Sequence, residues 1–108
     1  MIVLKKINSR VVERVIQPGQ TKMFFNVSLD EYDSFDWEIK TIGGGSKGTT
    51  KISSLYNDGI IESTAYAYLG KRFNTVVDIF VFNGDSCKLE ITNNESSLVK
   101  CIIKLKTF

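Results

Sequence analysis

The side chains in this chain that could do chemistry are few. Histidine is absent, which removes the usual general base near neutral pH, and there are two cysteines, Cys87 and Cys101. Two thiols with no third ligand beside them do not make a zinc site, so no metal or other cofactor is expected. The commoner reading is a pair of buried, reduced thiols behaving as small hydrophobes, with a disulfide as the alternative. The acid pair worth noting is Asp78 with Glu90 on adjacent strands, with Lys88 between them, and a surface charge ladder explains it better than general acid-base catalysis. Gly43-Gly44-Gly45-Ser46-Lys47-Gly48 is glycine-rich but lacks any Walker pattern, so it reads as a mobile hairpin tip rather than a phosphate cradle. No catalytic residues are assigned.

The remaining candidates are contact residues. In Ser63 to Leu69 the alternation puts Ala65 and Ala67 on one face and Tyr66 and Tyr68 on the other. Paired tyrosines suit a core edge, the underside of a sugar ring or a subunit interface.

The elements that must position these residues are strands. Thr75 to Phe82 is β-branched and aromatic, as are the apolar positions of Ser86 to Thr92 and Leu98 to Lys106, with Asn83-Gly84 and Asn93-Asn94 as breakers. That predicts a meander of two hairpins. Opposite residues on paired strands share a face, so Val77, Ile79 and Val81 belong with Cys87, Leu89 and Ile91, and with Val99, Cys101, Ile103 and Leu105. A two-residue Asn83-Gly84 loop would set Asp78 against Leu89 and mismatch the apolar faces. A three-residue loop, Phe82-Asn83-Gly84, restores the parity and places Asp78 opposite Lys88. At the second hairpin, a loop of Asn93-Asn94-Glu95 sets the two cysteines face to face, and a shift of two residues makes them diagonal; the sequence leaves both open.

The outward face of this meander carries Phe80, Phe82, Leu98 and Ile102 among its charges, more apolar area than a monomer normally leaves in water. It is the first candidate interface, with Tyr66 and Tyr68 as the second.

Upstream, Met1 to Ile7 and Arg10 to Gln17 read as short strands, the second ending at a Pro18-Gly19 type II turn. Thr21 to Leu29 is the next; its adjacent Phe24 and Phe25 cannot both face one core, so one of them is expected to meet a second surface. Phe35, Trp37 and Ile39 alternate with Asp36, Glu38 and Lys40, which favours a half-buried strand over a helix capped by Ser28. Thr49 to Tyr56, a turn at Asn57-Asp58-Gly59, and Ile60 to Leu69 form a further hairpin, linked by Gly70 and Lys71 to Asn74 to the terminal strands.

The chain of 108 residues, 43% hydrophobic, fits one domain with one core. About eight to nine short strands, with no convincing helix, predict an all-β antiparallel β-sandwich, a jelly roll being one form of it and a small barrel the runner-up. Its 14 basic and 12 acidic residues are interspersed, leaving a net charge of +2, so nothing argues for nucleic acid. Lys100, Lys104 and Lys106 read as a solvated strand face. The apolar run after Met1 is too short for a signal peptide and no segment is long enough for a membrane span, so the expectation is a protein kept in a cytoplasm or released from one by lysis.

The second half of the chain has a distinctive order: FDWEIKTI, a Gly/Ser/Lys loop, SSLYNDG, STAYAYLG, VVDIFV and LEITNNESSLVKCIIKL. From about Phe24 to Lys106 it resembles small all-β domains encoded among the structural genes of tailed bacteriophages. The resemblance implies a non-enzymatic part of the virion, assembled in the host cytoplasm: a head-decoration, neck or tail/fibre component that associates with itself and with other virion proteins. No functional residue transfers with it. Two other functions remain open on the sequence: a carbohydrate-binding module using Tyr66, Tyr68 and Trp37 as a glycan platform, and a small phage-encoded inhibitor of a host protein.

Overall fold

The computed structural model describes residues 8–108, so the strand expected from Met1 to Ile7 lies outside the described residues. Among the described residues there are eight strands and no helix: β1 (Asn8–Ile16), β2 (Thr21–Ser28), β3 (Ser34–Gly43), β4 (Ser46–Asn57), β5 (Ile60–Gly70), β6 (Thr75–Phe82), β7 (Ser86–Asn93) and β8 (Val99–Thr107). They form a five-stranded sheet, β1-β8-β3-β4-β5, and a three-stranded sheet, β2-β7-β6, antiparallel throughout. β1, β8 and β3 over β2 and β7 interleave as in a jelly roll, and β4–β5 departs from that plan by staying in the larger layer.

The local rules account for most of the strands. The alternation of Phe35, Trp37 and Ile39 buries all three, and the same period buries Cys87, Leu89 and Ile91 on β7 and Val99, Cys101, Ile103 and Leu105 on β8. Phe25 packs edge-on to Trp37 at 5.8 Å between ring centroids, and Phe35 stacks on it at 5.7 Å. The indole N–H donates to Ser54 Oγ at 3.0 Å, and that hydroxyl shares a 2.7 Å hydrogen bond with Ser63 Oγ on β5. Trp37 is thus held from both layers.

Four expectations need correction. The second terminal hairpin does not form: β7 lies in the small sheet and β8 in the large one, and the chain crosses layers between them. The parity was right because it is a local property, whereas the pairing partner is not. In the first hairpin the three residues between the paired Phe82 and Ser86 are Asn83, Gly84 and Asp85, so Asp78 faces Glu90 and Lys88 faces Phe80. Phe24 and Phe25 are both buried, because the register of β2 on β7 skips Phe24, a β-bulge that turns consecutive side chains to one core. The glycine-rich segment is a hairpin tip, as expected, but the loop shrinks to two residues, with Gly43 paired to Ser46 across Gly44-Gly45.

The crossing between β7 and β8 is organised by Asn93, which has no exposed surface. Its side-chain amide donates to the carbonyls of Ile16 and Ser97, both at 2.9 Å, and its side-chain oxygen accepts from the Glu95 N–H at 2.8 Å. Its backbone N–H donates to the Gln20 carbonyl at 2.9 Å and its carbonyl accepts from the Gly19 N–H at 2.7 Å. One residue therefore ties the end of β1, the Pro18-Gly19 turn and the loop into β8.

Asn93→Asp removes both side-chain donors and sets a carboxylate against two carbonyl oxygens. The expected loss is roughly 2–4 kcal/mol of unfolding free energy in a urea titration at neutral pH. A loss below about 0.5 kcal/mol would show that the corner is held by other contacts.

Candidate interaction surfaces and an open groove

The six residues singled out as contact residues do not form one surface. Phe80 and Phe82 lie on the outer face of the small sheet, Ile102 on the outer face of the large one, and Leu98 in the loop ahead of β8. Separating β7 from β8 puts the thickness of the sandwich between the two groups. Phe82 is 39% exposed, and Lys88 places its Nζ 3.3 Å from the Phe82 ring centroid, so a cation caps this small patch. Ile102 is half-buried between Glu13 and Lys40 on the flanking strands.

Tyr66 and Tyr68 part company as well. The register of β5 on β4 passes from Ala65 opposite Ile52 to Ala67 opposite Lys51, leaving Tyr66 as the extra residue of a bulge. Tyr66 leans over the outer face, lining a shallow cavity with Asp36, Glu38, Lys51, Lys104 and Lys106. Tyr68 lies on the inward face, in a groove it shares with Thr50, Ile52 and Ala65. Trp37, the third member of the expected sugar platform, is buried. That platform does not exist as a unit.

The lysines of β8 face acids across the strands: Lys106 opposite Asp36, Lys104 opposite Glu38, and Lys100 bonded to Glu13 at 2.8 Å. This is a ladder of opposite charges rather than a cationic stripe. Asp78 and Glu90 face each other on the outer face of the small sheet. Among the described residues no three metal-ligating side chains come together.

Two features that sequence reading missed lie on the side of the sandwich where β5 and β6 are the sheet edges. Three strands cannot cover five, so the inner face of β4 and β5 extends beyond β6 and leaves a groove of about 310 Å³. Its floor is Thr50, Ile52 and Ala65, its far wall Val77 and Thr75 of β6, and its rim Tyr68 with the Lys71–Phe73 link. Gly48 and Gly70 hold that link in place. The Lys71 N–H donates to the Lys47 carbonyl at 2.9 Å, and the Lys71 carbonyl lies so close over Gly48 that any side chain there would collide with it. Gly70 turns the chain with a φ of +76°, which a side chain would strain. So anchored, Arg72 stacks its guanidinium 4.0 Å from the Tyr68 ring centroid, and Lys71 sits 4.9 Å from that of Phe73.

The second feature is the free edge of β5. Tyr56 donates its N–H to the Asp33 carbonyl on the β3 side, and Tyr56 pairs with Ile61, so Ile61, and with it Ser63 and Ala65, present their backbone N–H and C=O groups away from β4. The strand carries one charge, Glu62, and no proline. Edge strands normally carry such protection against pairing with other chains; β1 has Arg10, Glu13 and Arg14.

No family model, curated protein or solved structure matches the chain. The functional reading therefore rests on these surfaces and on the sequence.

Both cysteines are free and buried, facing the core from different layers. Burial pushes the Cys87 thiol up to about 12; it also raises Cys101, opposed by a hydrogen bond with Thr41, whose Oγ1 lies 3.7 Å from the sulfur. In the unfolded chain a thiol ionises near pH 9, so between about pH 9 and pH 12 the unfolded state loses protons that the folded state keeps. Stability from this source is complete below pH 9 and falls as pH rises through that window. Urea midpoints should decline there, less in the Cys87→Ala/Cys101→Ala variant, and a thiol reagent should leave the native protein unmodified at neutral pH. Rapid native labelling would contradict the assigned burial.

Proposed function

We propose that the chain is a non-enzymatic structural protein of a tailed-bacteriophage particle, a head-decoration, neck or tail/fibre component, acting by assembly with copies of itself and with other virion proteins. The phage assignment rests on the order of strands and turns from FDWEIKTI to the Asn-Asn segment. The observation that carries the assembly reading is β5: a sheet edge with one charge and no proline, regular from Ile60 to Ala65 ahead of the bulge at Tyr66, with Ile60, Leu69 and Tyr66 exposed around it.

An edge of this kind suits a second copy. Antiparallel strands pair with themselves about a two-fold axis, and an axis at Ser63 sets Ile61 opposite Ala65 and Glu62 opposite Thr64 of the second copy, so the one charge on the strand never meets its own image. Each contact adds backbone hydrogen bonds along an existing sheet, and repetition in a particle multiplies weak contacts into a stable shell. The dimensions favour this: the described residues extend 52 × 27 × 20 Å, a plate with its long edges available.

The test is the solution mass by light scattering over a concentration series. Even multiples of the 12.2 kDa chain are expected. Glu62→Lys/Thr64→Lys puts lysines opposite each other across the two-fold axis at exposed positions, and should weaken association about tenfold or more with an unchanged circular dichroism spectrum. A wild-type monomer at all concentrations, or a lysine variant that assembles as before, would overturn the β5 contact.

A further inference from the structure

The groove beneath β5 has a composition that the assembly reading does not use. It lies within the lower range of small-molecule sites, about 300–1,000 Å³, at about 310 Å³. Its lining contains no carboxylate, while Lys71 and Arg72 both reach its rim. The salt bridge found among the described residues joins Lys100 and Glu13, on the other side of the molecule, so neither rim cation is paired with an acid. Their contacts are the rings of Phe73 and Tyr68. With its guanidinium carbon 4.0 Å from the Tyr68 ring centroid and no acid paired to it, Arg72 can offer N–H donors to an anion in a fork.

The rest of the groove is chemically mixed. Ile52, Ala65 and Val77 give an apolar floor and wall, and the hydroxyl-bearing residues Thr50 and Thr75 line the groove beside them, with Thr41, whose hydroxyl bonds Cys101 Sγ, behind. Hydroxyl groups alternating with C–H faces around a ring are what such a surface matches, and a carboxylate on that ring is what the two unpaired cations match. From this charge complementarity we propose that the groove binds an acidic saccharide, a pyranose carrying a carboxylate group, with Arg72 as the carboxylate anchor and Lys71 as the second cation. A bare phosphate or sulfate would satisfy the cations and leave the apolar floor and hydroxyls unused. This site shares Ala65 with the β5 contact but does not rest on the assembly reading.

The experiment is a titration of the isotopically labelled full chain, followed by amide chemical shifts, with galacturonate oligomers and N-acetylneuraminic acid as probes. Neutral galactose, inorganic phosphate and a short polyglutamate peptide serve as comparisons. At least one acidic sugar should give saturable shifts centred on Thr50, Ala65 and Val77, with galactose giving none. Arg72→Gln should weaken that binding about tenfold, and Arg72→Lys less. Tyr68 and the backbone link keep their places in these variants, which unchanged shifts elsewhere will confirm. Failure of both acidic sugars to saturate would overturn the proposal. So would phosphate or polyglutamate moving the same amides at equal or higher affinity, or an Arg72→Gln variant that binds as well as the wild type.

Discussion

The structure depends on one buried amide. Asn93 closes five hydrogen bonds at the corner where β7 leaves the small sheet, reaching the last residue of β1, the turn that leads into β2, and the loop that leads into β8. The Ile16 carbonyl, at the buried end of β1, would otherwise lack a partner, at a cost of about 1–3 kcal/mol. With these bonds made, β1 and β8 are committed to one layer and β2 and β7 to the other.

The division is unequal, and the inequality gives the molecule its sidedness. β1 and β2 close one side of the sandwich, with Arg10, Glu13 and Arg14 on β1 and Lys22 on β2. On the opposite side β4 and β5 run past β6, so the same geometric shortfall creates an uncovered inner face and an unguarded outer edge. Gly48 and Gly70 let the β5–β6 link lie flat against the large sheet, which carries Lys71 and Arg72 over the opening instead of into solvent. Groove and edge are thus two consequences of fitting three strands over five.

What the sequence revealed was whatever depends on period two. The strand positions, the inward faces of β3, β7 and β8, and the burial of both cysteines could be read from alternation, because side-chain direction along a strand is a local property. Partner choice was not local. Asn93-Asn94 has the composition of a hairpin turn, and nothing nearby shows that the Asn93 amide bonds to Ile16, far away in the chain. The two bulges were hidden for the same reason: Phe24 and Tyr66 change face only through the register of a partner strand. Once that register slips, Tyr66 and Tyr68 part; the apolar quartet of Phe80, Phe82, Leu98 and Ile102 divides for a different non-local reason, the placing of β7 and β8 in different sheets. The groove left one trace, a Lys71-Arg72-Phe73 run between glycine and a strand, but its meaning required knowing that the strands on either side belong to different sheets.

The account centres on the free edge of β5 as a surface made for another copy. Amide hydrogen exchange at Ile61, Ser63 and Ala65, measured across protein concentrations, tests it most directly, because these N–H groups point away from β4, have no backbone partner among the described residues and would gain one on association. Fast exchange in dilute solution, slowing at all three positions as concentration rises while the core strands stay constant, is the expected result. Exchange at these amides that is fast and independent of concentration, or slow even in the dilute monomer, would contradict it.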